Sequence, residues 1–256
     1  MRSGRMSVRL SLVLVLFCVL FLPARTDGNV QAGALSSQPA QLTPFGMDTY
    51  LASPDFTDGD VNTLSSRAQA IGVRWMRLEL PWPPIHDDPA YWQPHYDQRF
   101  AKLAADGFGI IAILFTTPES HSTQACRDWA DAHGTTRYLC PPANPQDFAA
   151  FAAAMAERYD GDGYQDAPGS PRIAYWEIWN EPDQPGTWLP APDALAYKNL
   201  LCASYTAIKL ADPTAGVLVG GLTDWDTIGL NNFLNKVVNY GGFPCCLLYT
   251  SPSPRD

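Results

Sequence analysis

Strand and helix patterns alternate along this chain, and the alternation limits the fold more than any other feature. Short runs rich in apolar, aromatic and β-branched residues, typical of buried strands, are separated by segments with apolar residues at helical spacing. This order predicts parallel strands joined by helices, in either an open doubly wound sheet or a closed barrel. The predicted strands are 45–51, 73–80, 110–115, 173–179 and 217–222, and the predicted helices are 61–70, 96–105, 145–159, 193–210 and 228–238.

Polar residues stand where several of the predicted strands end. Asp48 belongs to the first strand, Arg77 and Glu79 lie near the end of the second, and Asn180 and Glu181 follow the fourth. No glycine-rich phosphate motif follows an early strand, which argues against a nucleotide-binding open sheet. In a closed barrel, chemistry is carried out at the C-terminal ends of the strands. The polar residues are therefore expected to meet at one mouth of a barrel.

Two stretches resemble clan A of the glycoside hydrolases, in particular its families 39 and 5. WNEP, from Trp179 to Pro182, is similar to the acid/base motif that follows strand four of the clan. VRWMRLELPW, from Val73 to Trp82, is similar to the second strand of the clan. The resemblance covers residues 44–242. It implies an α/β fold, a (β/α)8 TIM barrel, of which about the first five β/α units are present.

The resemblance also implies a role for each matching residue. Glu181 is implied as the general acid and then the general base, Asn180 as a ligand of the sugar 2-hydroxyl, and Arg77 as the residue that orients the nucleophile. A glycosidic oxygen is a poor leaving group and needs such a proton donor. The nucleophile of the clan is a glutamate after strand seven, so a chain that stops after about strand five is expected to lack it and to be inactive. Glu177 is interpreted as a buried, hydrogen-bonded structural group.

Five further side chains are candidates for substrate contact. Trp82, Trp188 and Trp225 follow predicted strands and are able to stack on sugar rings, with packing inside loops as the alternative. Asp48 is a candidate contact or a turn residue, and His86 is a candidate contact or an exposed loop histidine. No histidine has metal-ligand spacing, and no metal or organic cofactor is implied.

An acidic loop forms a partial calcium-binding pattern. Asp160, Asp162 and Asp166 alternate with glycines and polar residues, but the full ligand set and the distal glutamate are missing. We therefore interpret this segment as a solvated loop.

The N-terminus is predicted to be an export signal. Arg2, Arg5 and Arg9 precede an apolar run over 10–22, and small-residue cleavage sites follow. The run is shorter than the roughly 20 residues that a membrane span needs, although an uncleaved anchor is the alternative. Residues 1–34 are assigned to the signal and cleavage region and 35–43 to a linker. The mature protein is expected to be secreted, with no membrane association.

Export bears on the cysteines. Cys126 and Cys140 flank a polar loop, and in an oxidising compartment this spacing predicts a disulfide, with two free buried thiols as the alternative. Cys202 lies in a helical pattern and is predicted to be a small buried apolar residue.

The last residues do not resemble a protein sequence. CLLYTSPSPRD, from Cys246 to Asp256, resembles the translation of a sequencing-library adapter. Residues 44–244 are assigned to a partial glycosidase barrel and 245–256 to a non-native tail, with a genuine Ser/Pro-rich terminus as the alternative.

The charge of the chain narrows its partners. A formal net charge of −9 argues against nucleic acid and anionic membranes and fits a neutral carbohydrate. The sequence thus predicts a retaining glycoside hydrolase, cellulase- or xylosidase-like, acting on a β-linked oligo- or polysaccharide. The alternative is a carbohydrate-binding TIM-barrel protein that has lost catalysis.

Overall fold

The computed structural model describes residues 45–223 and 227–246, and over residues 227–231 the backbone alone. All described residues belong to a single compact unit. The predicted export signal and linker, and most of the predicted tail, lie outside the described residues. Within those residues no helix is long and apolar enough to cross a membrane.

The described sheet is wholly parallel, and its strands lie side by side in chain order. Every strand pairs with the next one along the sequence, as successive β/α units require. The register places Asp48 beside Arg77, Pro81 beside Phe115 and Asn180 beside Gly221. The strands are β1, Gly46–Asp48; β2, Trp75–Pro81; β3, Gly109–Phe115; β4, Tyr175–Asn180; and β5, Gly216–Gly221.

Helices follow each strand, and their starts are fixed by polar caps. Thr57 and Asp60 form a capping box at the start of the first helix, and Asp193 caps the sixth by accepting hydrogen bonds from two of its backbone N–H groups. The helices are α1, Asp58–Ala70; α2, Trp82–Asp87; α3, Pro89–Ala105; α4, Gln124–Ala132; α5, Pro145–Arg158; α6, Ala194–Ala211; and α7, Thr227–Asn239.

Strand β2 shows how the two faces of the sheet differ. Met76, Leu78 and Leu80 are fully buried and belong to the main hydrophobic core, which also contains apolar residues of α3. The alternate residues of β2, which include Arg77 and Glu79, are only partly buried. Because successive strand residues point to opposite faces, one face of β2 packs against the helices and the other turns charged groups toward the barrel interior.

Two local predictions were wrong. The segment between Cys126 and Cys140, predicted as a polar loop, contains most of α4, which Thr123 caps by accepting a hydrogen bond from the Cys126 N–H. Cys202, predicted as a small buried apolar residue, is partly exposed and forms a disulfide with Cys245. The partner lies 43 residues further along the chain, in the predicted tail, so helical spacing around Cys202 carried no signal for the bond.

Candidate active site

Arg77, the third residue of β2, is the centre of a hydrogen-bonded network that reaches the last residues of β1 and β4. Its Nε donates to Glu177 Oε2 at 2.8 Å, and its Nη2 donates to Glu177 Oε1 at 2.7 Å. The same Nη2 donates to Asn180 Oδ1 at 2.9 Å, and Nη1 donates to Asp48 Oδ2 at 2.9 Å. These four bonds use most of the five donors of a guanidinium group. Strands β1, β2 and β4 are thereby joined through one side chain.

The carboxylates of this network stabilise the charged form of Arg77. Burial by itself lowers the pKa of Arg77, but the hydrogen bonds and charges of Glu177 and Asp48 outweigh it, and the net pKa is raised. Glu177 is almost fully buried, and its Oε1 also accepts a hydrogen bond from the Gly221 N–H at 2.6 Å. Glu177 is therefore the buried structural carboxylate that the sequence predicted. Asp48, whose side chain is 66% exposed, is the outer partner of the ion pair.

Asn180 reaches Arg77 because the strand alternation breaks one residue earlier. Trp179 has a φ of 68°, in the left-handed region. Its indole packs on Phe115 instead of entering the barrel, and its Nε1 donates to the Thr187 carbonyl at 2.8 Å. In a regular strand Asn180 would face away from Glu177. The break turns Asn180 to the same side, so both side chains bind one guanidinium group.

The hydroxyl of Tyr197 closes the gap that this break leaves between β4 and β5. It accepts a hydrogen bond from the Gly220 N–H at 2.6 Å and donates to the Ile178 carbonyl at 3.0 Å. A Cβ on Gly220 would lie 2.7 Å from the Trp179 carbonyl oxygen, so the position requires glycine. The strained end of β4 is thus held from behind by α6.

Glu181 follows directly and also has a left-handed backbone, with a φ of 50°. Its N–H donates to the Gly221 carbonyl at 2.8 Å, and its own carbonyl accepts a hydrogen bond from the Thr187 hydroxyl. Its carboxylate is partly buried and accepts no hydrogen bond from the described residues. A non-glycine residue in this region costs roughly 1–3 kcal/mol. This strained backbone places the Glu181 carboxylate, which has no hydrogen-bond donor among the described residues, at the C-terminal end of the sheet.

Glu79, which the sequence placed among the polar residues at this face, was not among the residues predicted to act on substrate. It lies two residues after Arg77 on β2, is partly buried and accepts no hydrogen bond from the described residues. Burial raises the pKa of Glu79, and the charges of Asp48 and Glu181 raise it further, while Arg77 lowers it. The two-residue spacing from Arg77 is the sequence signal that would have identified this position.

Trp82, predicted to stack on sugar, is 6% exposed. Its ring stacks on Phe151 with centroids 5.4 Å apart and packs against His121 at 4.7 Å. His86, also predicted as a contact, lies beside His121 with centroids 5.0 Å apart, and its Nδ1 is 2.8 Å from Asp87 Oδ1. The His86 side chain is 36% exposed and thus open to a ligand, whereas the Trp82 ring is covered.

Trp188 is also a packing residue. It is 2% exposed, and its ring lies between those of Trp179 and Tyr197, with centroids 5.2 and 5.9 Å away. A ring without an open face is unable to stack on a sugar. The prediction that Trp82 and Trp188 contact substrate was therefore wrong, and both are packing residues, the alternative given above. Trp225 lies outside the described residues.

A cleft of about 540 Å³ opens beyond the ends of β2 and β3. Its walls come from Pro81 and Phe115 at the strand ends, from Trp92, and from the loop that carries Tyr138. Neither Arg77 nor Glu181 lines it. The cleft is mostly apolar and lies next to the candidate site without being part of it.

The cysteines that flank this loop are bonded. Cys126 and Cys140 form a disulfide, as their spacing predicted, with Cα atoms 5.9 Å apart. The bridge packs against Leu189 and Ala130 in a small separate hydrophobic cluster.

The acidic loop has a structural explanation. Asp160, Asp162 and Asp166 each accept a hydrogen bond from a backbone N–H group two or three residues away, at 2.7 to 3.0 Å. Their carboxylate oxygens lie within 4.8 Å of one another. Each carboxylate stabilises a turn, which gives these residues a structural role. Asp162 is exposed, as a solvated loop predicts, but Asp160 is buried.

Comparison with known proteins identifies the fold. No family model and no curated protein matches the chain. Solved structures do match. A GH39 enzyme from Xanthomonas axonopodis pv. citri has a TM-score of 0.54 and 19% identity, over 77% of this chain and 38% of that one. A GH39 β-xylosidase from Caulobacter crescentus has a TM-score of 0.53 and 18% identity, over 84% of this chain and 56% of that one.

A monomeric β-xylosidase from Caulobacter crescentus CB15 is similar at a TM-score of 0.52 and 20% identity, over 77% of this chain and 39% of that one. The chain thus spans 38% to 56% of the length of these three structures. At identities below 25%, this similarity shows the fold alone. The described residues therefore have the fold of the first five β/α units of a TIM barrel, as the sequence resemblance implied.

Proposed function

We propose that this chain is the first part of the catalytic domain of an exported, retaining glycoside hydrolase, and that Glu181 is its general acid/base. The substrate class is a β-linked oligo- or polysaccharide. The observation that carries the proposal is the state of Glu181. Its carboxylate is partly buried and has no hydrogen-bond or ion-pair partner among the described residues, and a left-handed backbone holds it at the C-terminal end of β4, where TIM-barrel enzymes carry catalytic residues.

The neighbouring residues suit this chemistry. A general acid must deliver a proton to the glycosidic oxygen as the bond breaks and must then activate water. Glu181 accepts no internal hydrogen bond within the described chain, so its carboxyl group is available for both steps. Asn180 is held by Arg77 through its Oδ1, and this leaves its Nδ2 free to donate to a sugar hydroxyl.

Retention requires a second carboxylate about 5 Å from the first. We assign that nucleophile to a later β/α unit, as the clan resemblance implies. In the described residues, Asp48 and Glu177 are both engaged by Arg77 and are poor candidates.

The test uses the full-length product of the gene and xylobiose and cellobiose as substrates with poor leaving groups. Glu181→Gln is expected to lower kcat by roughly 10²- to 10⁴-fold, the usual contribution of general acid–base catalysis. Glu157→Gln is a matched control because Glu157 lies on α5, away from the sheet mouth. Wild-type kcat in Glu181→Gln would contradict the proposal, and saccharide binding without any turnover would favour the non-catalytic carbohydrate-binding protein.

A further inference from the structure

Glu79 is a carboxylate on the inner face of β2 whose presence is not explained by any structural contact among the described residues. It follows Arg77 by two residues in β2, so both side chains lie on the face that looks into the barrel. One step of this kind along a strand is about 7 Å, which places Glu79 nearer the mouth than the Arg77 network. Its partner in register is Ile113 of β3, an apolar residue that offers no hydrogen bond from its side chain.

Two neighbouring carboxylates, unlike Glu79, accept hydrogen bonds. Asp48 and Glu177 each bind Arg77, and Glu177 also receives the Gly221 N–H. Glu79 receives no donor from the described residues, although it is partly buried. Arg77 has already committed four hydrogen bonds to other acceptors.

An unpaired, partly buried carboxylate costs free energy, and here the cost is increased by its neighbours. Burial opposes ionisation of Glu79 most strongly, the charges of Asp48 and Glu181 oppose it further, and the charge of Arg77 offsets part of this, so that the pKa of Glu79 remains raised. A purely structural position would be filled more favourably by a neutral residue of similar size. Groups placed against their own electrostatic preference concentrate at sites that bind ligands.

We propose that Glu79 is a substrate-binding residue whose two oxygens accept hydrogen bonds from hydroxyl groups of the sugar beside Glu181, and that this sugar is uncharged. The inference rests on the proposed function and deepens it, since it names the class of sugar. A sugar ring supplies neighbouring O–H donors, which match the acceptors of a carboxylate. A uronic acid would bring a further negative charge next to Asp48, Glu79 and Glu181.

Binding is measured by calorimetry on the full-length gene product in a Glu181→Gln background, so that no turnover interferes. The probes are xylobiose, its monodeoxy derivatives in the non-reducing sugar, and an aldobiouronic acid of the same linkage. Glu79→Ala is expected to weaken xylobiose binding by about 10- to 100-fold, the range for a hydrogen bond to a charged group. A monodeoxy sugar that lacks a hydroxyl contacted by Glu79 is expected to lose less affinity in Glu79→Ala than xylobiose does, because that contact is already absent.

Three controls make the outcome specific. Glu79→Gln retains one acceptor oxygen and is expected to lose less affinity than Glu79→Ala, and Glu157→Gln is expected to lose none. The acidic disaccharide is expected to bind more weakly than xylobiose to the background protein and to recover part of the difference in Glu79→Gln. Melting temperatures show which variants are folded.

Three binding results and one kinetic result would overturn the inference. The binding results are unchanged affinity in Glu79→Ala, an equal loss on every deoxy sugar, or tighter binding of the acidic disaccharide. Turnover lost in Glu79→Ala and restored by azide would also overturn it, since Glu79 would then be the nucleophile. The proposed function is tested separately: it fails if Glu181→Gln keeps wild-type turnover, whatever Glu79 does.

Discussion

Arg77 and Glu177 face each other across the sheet and share two parallel hydrogen bonds of 2.8 and 2.7 Å. The pair is mostly buried, with side chains that are 24% and 6% exposed. The planar guanidinium fork fits both carboxylate oxygens at once, which an ammonium group is unable to do. The same guanidinium holds Asn180. The stability of the sheet and the position of Asn180 next to Glu181 therefore both depend on the Arg77 guanidinium.

We predict that Arg77→Met will destabilise the protein by about 3–5 kcal/mol, because Glu177 becomes a buried charge without its partner. The double variant Arg77→Met/Glu177→Leu is expected to recover part of this loss, since no unpaired charge remains. Urea unfolding monitored by tryptophan fluorescence measures both. Arg74→Met, which removes hydrogen bonds to backbone carbonyls at the edge of β2, is the control. A loss no larger than that of the control would contradict the prediction.

A second prediction concerns the hydroxyl of Tyr197. Tyr197→Phe leaves the Gly220 N–H and the Ile178 carbonyl without the partner they have in a buried site. Each unsatisfied group costs about 1–3 kcal/mol, so the variant is expected to lose at least that much stability. Tyr205→Phe is the matched control on α6, because the Tyr205 hydroxyl makes no hydrogen bond within the described chain. Equal unfolding midpoints for the two variants would contradict the prediction, because they would show that the Tyr197 hydroxyl between β4 and β5 does not stabilise the fold.

The sequence predicted the order and type of the main elements because each of them has a strong local signal. Strand β3 is a continuous apolar run, and α5 begins after Asn144 with a proline. The fourth strand and its terminal Asn180–Glu181 pair were likewise predictable from apolar residues that stop at polar ones. These signals lie within a few neighbouring residues, so no tertiary contact was needed to read them.

What the sequence failed to predict depends on distant partners. The disulfide of Cys202 spans 43 residues, and the burial of Trp188 is decided by rings on β4 and α6. The unpaired state of Glu79 depends on which acceptors Arg77 binds. Local spacing placed Glu79 on the inner face, but only the three-dimensional arrangement showed that the other carboxylates had taken the available donors.

The disulfide between Cys126 and Cys140 gives a third prediction. Its partners are separated by 14 residues, and closing a loop of that size is worth about 3 kcal/mol in the chain-entropy model. The double variant Cys126→Ala/Cys140→Ala is expected to lose up to that amount in urea unfolding under non-reducing conditions. Cys246→Ser, which removes an unbonded thiol, is the control. Alkylation of both Cys126 and Cys140 in the unreduced wild-type protein would contradict the bridge itself.

The raised pKa of Glu79 links stability to pH. Because the folded state favours the protonated carboxyl, it binds more protons than the unfolded state between the ordinary glutamate pKa and the raised one. Stability therefore falls as pH rises through this window, and the penalty is fully present above the folded pKa. Solvent screens a partly exposed group, so the penalty is small, below about 1 kcal/mol.

We therefore predict that Glu79→Gln will raise the melting temperature at pH 7 and that the gain will shrink as the pH falls toward 4. Glutamine has nearly the same shape and carries no charge, so it removes the repulsion from Asp48 and Glu181. Calorimetry of both proteins across this range measures the difference. Glu157→Gln, which has no comparable charged neighbours among its hydrogen bonds and ion pairs in the described chain, is the control and should show no such trend. A lower melting temperature for Glu79→Gln at pH 7 would mean that the Glu79 carboxylate stabilises the fold and is not held at a cost for substrate.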